Sequence, residues 1–201
     1  MNQPNEPENG ASAQMTSVDW GRQLGEQLTF HWEEQLRPSL DGLTDNEYFW
    51  EPVPGCWSVR PRAEATAPVL AGAGDMVVEF GFPEPNPAPV TTIAWRVAHL
   101  TVGVFGMRNA GHFGGPTVDY PSAIYPATAA EALDRLDHEY ATWMAGIGAL
   151  DADALAVPVG EAEGPYADLP MATLILHIKR EVIHHGAEIC LLLDLYRAEH
   201  A

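Results

Sequence analysis

Cysteine is nearly missing from this chain. Cys56 and Cys190 are the only two in 201 residues. Two cysteines make no disulfide framework, and their scarcity fits a reducing compartment. Basic residues are scarce as well: ten Lys and Arg stand against 28 Asp and Glu, for a formal net charge of −18. A protein that holds nucleic acid needs Lys and Arg to neutralise phosphates. Ten of them, scattered from Arg22 to Arg197, argue against that role and against an anionic membrane surface. No stretch approaches 18 uninterrupted apolar residues, so no transmembrane helix is expected. The N-terminus MNQPNEPENGASAQ has neither a basic region nor an apolar one, so it does not read as a signal peptide. Residues 1–15 are expected to be a disordered leader, and 16–201 a single domain in the cytoplasm. A sustained strand pattern and an internal repeat are also missing.

What is present is helical period. SVDWGRQLGEQLTFHWEEQLRPSLDGL carries Trp20, Leu24, Leu28, Trp32 and Leu36 at i, i+4 spacing, with Ser17 as the expected N-cap. Pro38 and Gly42 close that helix. Thr44 and Glu47 are spaced as a capping box for a short turn. A second helix is expected over about 91–109, capped by Thr91 or Thr92 and apolar on every side, hence central. A third starts at Thr128, with Glu131 completing its cap pattern. A fourth begins near Pro170, a good first-turn residue, and runs to the C-terminus. Between the first two lies a stretch rich in Pro and Gly, residues 51–89, in which the run MVVEF reads as a strand or turn. The expected fold is all-α: a four-helix bundle with long irregular connections.

Three polar residues sit inside this helical pattern. At about 100° per residue, Glu181 and His185 fall on the stripe of Leu174, Ile178 and Leu192. His177 and His184 fall on its flank, and Cys190 on the opposite side. His99 lies in the apolar second helix. An ionised carboxylate on an apolar face is costly unless something compensates it. Two imidazoles and a carboxylate meeting in a helical core are a ligand set for a divalent metal, with one position left open. The blander readings are a core histidine bonded to a neighbour and a plain Glu181–His185 ion pair. His184 beside His185 leaves the ligand choice open on spacing alone. His177, His184 and Glu188 are expected to be outer or partly exposed groups.

GLTDNEYFWEPVPGCWSV, WRVAHL and REVIHHGAEI carry a resemblance. The chain resembles the DinB/YfiT-like superfamily of metal-binding four-helix bundles over nearly its whole length after residue 16. That superfamily's usual last helix has His-x-x-x-His, then a small residue and Gln. Here Glu181 stands at the first histidine and Glu188 at the Gln. This departure makes the chain similar to the mycothiol-dependent maleylpyruvate isomerase-like branch, which uses His, Glu and His. The resemblance implies His99, Glu181 and His185 as ligands, with Zn²⁺ favoured and Ni²⁺ as the alternative.

A divalent ion with an open position can acidify water, polarise a substrate oxygen or hold a thiolate. The branch implies the last, with a low-molecular-weight thiol such as mycothiol adding to a small electrophile. The expected function is therefore metal-dependent S-transfer or isomerisation. The alternatives are a metal-dependent hydrolase of small amides or esters and a non-catalytic metal-binding stress protein. His184 is the candidate for the general base. Arg96 and Arg108 are candidates for meeting an anionic substrate, against the blander reading of surface salt bridges. Trp57 is a candidate for the mouth of the site, or else a plug at the end of the bundle. The expected partners are a small thiol and an electrophile, and the spacing leaves monomer and homodimer equally open.

Overall fold

The first long helix opens on Asp19, whose side chain accepts from the Arg22 backbone N–H at 3.0 Å. The computed structural model describes residues 18–201, so the leader over 1–15 and the expected Ser17 cap lie outside the described residues. Helix α1 comprises Trp20–His31, a widened π turn at Trp32–Leu36, and Arg37–Ser39. The wide turn ends two residues before Pro38, whose ring in a regular helix would clash with the carbonyl four residues back, that of Glu34 within the turn. Gly42, at φ 74°, turns the chain away. Helix α2, Asp45–Tyr48, has both halves of the Thr44–Glu47 capping box.

The Pro-rich stretch holds a small sheet where an all-α fold was expected. Strands β1 (Val59–Pro61), β2 (Val69–Ala71) and β3 (Met76–Phe80) pair antiparallel in the order β1-β3-β2. Val59 faces Val78, and Val69 faces Phe80. The two outer strands are three residues long, too short to print a period of two on the sequence. The MVVEF run is the central strand. Val77, Val78 and Glu79 are all buried, so it too lacks the alternation of a half-exposed strand.

Helix α3 starts at the Thr92 cap, which accepts from the Trp95 N–H at 3.2 Å. It runs through Ile93–Ala98, a long π segment at His99–Gly106, and Met107–His112. Helix α4 (Ala129–Gly148) is capped by Thr128 and the short α5 (Ala152–Ala156) by Asp151. A 3₁₀ turn at Glu161–Tyr166 leads to α6, Met171–Glu199, where Pro170 is the cap residue and not the first helical one.

Helices α1 and α3 each pack against both α4 and α6, and the sheet rests on the first turns of α3. Trp143, Phe105, Leu136, Ile178 and Ile189 are fully buried between the four long helices. Burial of each aliphatic or Phe side chain of this kind contributes about 1.5–3 kcal/mol. Trp32 lies flat on Tyr140, ring centroids 3.9 Å apart, and ties α1 to α4. The fold is mostly helical with one small sheet. None of its helices, among the described residues, is long and apolar enough to cross a membrane. Cys56 and Cys190 are free.

Candidate metal centre

Helix α3 meets α6 at three polar side chains. His99, Glu181 and His185 each offer one ligand atom, and the three atoms lie within 4.8 Å of one another. The two imidazoles meet edge to face, ring centroids 4.8 Å apart. His185 Nε2 is 3.6 Å from Glu181 Oε2. The i, i+4 spacing places Glu181 and His185 one turn apart on the buried stripe. His99 is the first residue of the π segment. Such segments are rare and often lie at functional sites.

Both imidazoles are fixed through their Nδ1 atoms. His185 Nδ1 is 2.8 Å from Glu188 Oε2. A carboxylate only accepts, so a proton of this pair sits on Nδ1, and Nε2 is the ring nitrogen on the Glu181 side. Arg96 in turn donates to Glu188 and lies 3.3 Å from His185 Nδ1. His99 Nδ1 is 2.6 Å from the Tyr120 hydroxyl. The His99 ring is nearly parallel to those of Trp95 and Tyr120, at centroid distances of 5.4 and 6.4 Å. Phe80 of β3 packs edge-on against both, and Trp95 Nε1 donates to the Glu79 carbonyl at 2.8 Å. The sheet thus buttresses the rings that hold His99.

Burial lowers the His99 pKa to about 3, helped by nearby His185, Arg108, Arg96 and His177. His99 is therefore a neutral imidazole at ordinary pH, the form that binds metal. Glu181 accepts no hydrogen bond among the described residues. Its nearest nitrogens are His177 Nδ1 at 3.4 Å, His185 Nε2 at 3.6 Å and Arg180 Nε at 3.8 Å. A carboxylate and two oriented imidazoles, the carboxylate left without close partners, are donors that fit a divalent cation. His185 also belongs to a second group, His184–His185–Glu188, at the helix surface.

The other candidates fall differently. His184 is exposed; its Nε2 is 3.5 Å from Glu188 Oε1, and its ring lies 5.0 Å from that of His185. Arg96 is not a surface ion pair; it is largely buried behind His185. Arg108 donates to the Gly103 carbonyl and to Glu163 Oε2, the latter at 3.2 Å. Trp57 bridges to Thr91 beside the sheet, and Phe80 separates it from Trp95 and Tyr120. Cys190 belongs to neither ligand group. His31 bonds Gln35 at 2.8 Å and lies under Gly186, away from the site.

Sequence reasoning missed Tyr120 and Gly103. A Cβ on Gly103 would stand 2.0 Å from the Tyr120 hydroxyl, so glycine makes room for the bond to His99. Its spacing, four residues after His99 on one helix, carried that signal. Tyr120 lies in an irregular link and carried none.

The comparisons agree with this geometry at the level of the family. A family model described as the DinB superfamily matches residues 27–189, which include all three residues of the group. No curated protein matches the chain, and no solved structure does.

Proposed function

The chain belongs to the DinB superfamily, and on that premise we propose a divalent-metal-dependent enzyme of four-helix-bundle type. It uses a low-molecular-weight thiol of the mycothiol kind for S-transfer to, or isomerisation of, a small electrophile. The observation that carries the reading is the His99–Glu181–His185 group, with its ligand atoms within 4.8 Å and both Nδ1 atoms engaged from outside. These three residues would hold the ion, Zn²⁺ before Ni²⁺, since two imidazoles and a carboxylate suit a borderline-soft cation. Bound there, the ion supplies a Lewis acid that favours thiolate over thiol at neutral pH.

The chain's own residues do the rest. Glu188 and Tyr120 fix the ring orientations, and Arg96 balances the charge of Glu188. Trp95, Tyr120 and Phe80 keep water from one side of His99. The likeness of the His–Glu–His set to the mycothiol-dependent branch favours thiol over water as the nucleophile.

The test is cobalt substitution followed by titration with mycothiol. A sulfur-to-cobalt charge-transfer band is expected, with release of about one proton per thiol, and no band in His185→Ala. Turnover of amide or ester substrates without thiol, and no band, would overturn the reading in favour of a hydrolase. Neither band nor turnover would leave a metal-binding protein without catalysis.

A further inference from the structure

Next to the ligand group lies a cavity of about 430 Å³ that the metal site does not itself occupy. Its walls come from three places in the sequence. Helix α3 contributes Arg108, the link after α5 contributes Leu169, and the first turns of α6 contribute Leu174, Leu176, His177 and Arg180. His177 connects the cavity to the ligands, since its Nδ1 is 3.4 Å from Glu181 Oε1. The volume is that of a site for a small organic molecule.

Arginines gather around it, each beside a glutamate: Arg108 with Glu163, Arg180 near Glu181 and Arg96 with Glu188. The protein carries −18 overall with only ten Lys and Arg. Three of those ten, Arg96, Arg108 and Arg180, stand at the cavity or directly behind His185. Arg108 is held in place by the Gly103 carbonyl and by Glu163, which also lines the cavity, and its buried Nε has no partner among the described residues. Arg180 is largely exposed and donates to His177 Nδ1 at 2.8 Å, which turns its guanidinium toward the cavity wall. Two arginines beside a leucine-lined wall match one kind of ligand: an anionic head on an apolar body. Arginine forks recognise carboxylates with directed, charge-assisted bonds.

We propose that this cavity binds a small organic acid with an apolar body, its carboxylate on Arg108 and Arg180 and its body on Leu169, Leu174 and Leu176. That this acid is the electrophile of the thiol reaction rests on the function proposed above. That the cavity takes an organic acid does not.

The experiment is calorimetric titration of the full, chelator-treated protein with octanoate, octanol and octylamine. Octanoate is expected to bind about tenfold more tightly than octanol, the scale of a charge-assisted contact, and octylamine more weakly than either. Arg180→Met, an exposed position that leaves the core untouched, removes that tenfold advantage and leaves octanol affinity unchanged. Arg108→Met does the same where it folds. Equal affinity for octanoate and octanol, or an octanoate advantage that survives Arg180→Met, overturns the proposal. The two readings fail separately. Octanoate selectivity with no cobalt–sulfur band removes the thiol chemistry and leaves the acid site. The band without octanoate selectivity removes the acid site alone.

Discussion

Two glutamates packed among neighbours, Glu79 in the sheet and Glu181 in α6, meet the same physical problem in opposite ways. Glu79 is 2% exposed and fully partnered. Its oxygens accept from the backbone N–H groups of Ser58, Thr66 and Ala67 at 3.0, 3.0 and 3.3 Å, and from Arg60 Nε at 2.7 Å. Burial alone pushes its pKa up, yet the bonds from Thr66, Arg60 and Ser58 outweigh that and hold it below the ordinary carboxylate value. Glu181 has no such partners; its nearest nitrogens stand 3.4 to 3.8 Å away. A buried carboxylate whose lone pairs are all used is a structural element. A partly buried one whose lone pairs face two oriented imidazoles has donor capacity to spare. The difference separates a residue that holds the fold together from one available to a ligand.

The sharpest way to break this comparison is metal content. After loading with zinc and removal of excess, elemental analysis is expected to give near-stoichiometric metal for the wild type. His99→Ala, Glu181→Ala and His185→Ala are expected to fall to background, while Glu79→Gln keeps its metal. Full retention in Glu181→Ala, with loss in His184→Ala, would move the site to the surface group that shares His185.

The next largest effect is on stability, with the two glutamates reversed. In metal-free protein, Glu79→Ala is expected to cost about 3–5 kcal/mol in urea unfolding, because it leaves Arg60 and three N–H groups facing a void. Glu181→Ala should stay within about 1 kcal/mol of wild type, as it removes no close bond. The pH dependence follows the same sign. A carboxylate with a depressed folded pKa contributes stability that is complete above its unfolded value and is lost as pH falls through the folded one. Acid titration of unfolding free energy should show that loss in the wild type, and Glu79→Gln should flatten it.

A smaller effect sharpens the role of the outer partners. Glu188→Ala is expected to weaken zinc affinity about 10- to 100-fold by competition with a chelator, and to lower urea stability as well, because it leaves the largely buried Arg96 without its carboxylate. An unchanged affinity would mean that the Glu188–His185 bond does not orient the ring. The smallest expected effect is none: Cys190→Ser should leave metal content and affinity as they are, because that side chain stands apart from both ligand groups.

Much of this site was legible in the residues. Helix periodicity puts Glu181 and His185 on one stripe, and the apolar run around His99 marks a central helix. The capping pairs Thr44–Glu47 and Thr128–Glu131 mark helix starts because the bond they make is local, three residues apart. The sheet was legible only as one apolar run. Its outer strands are too short to show a period, and Glu79 reads as a polar interruption until Ser58, Arg60 and Thr66 are brought around it. The π segments left no mark either, since a widened turn changes hydrogen bonding by one residue and leaves the apolar pattern almost intact.

The sequence by itself determined which side chains each helix turns inward, because that depends only on spacing along one element. It also determined the shortage of cysteine and of positive charge. Which helices meet was decided only by the tertiary structure. So were the Tyr120 bond to His99, the Glu188–Arg96 pair behind His185 and the cavity between Arg108 and Arg180. Each joins residues far apart in the chain or turns on a side-chain contact that spacing leaves open, and only packing fixes those distances.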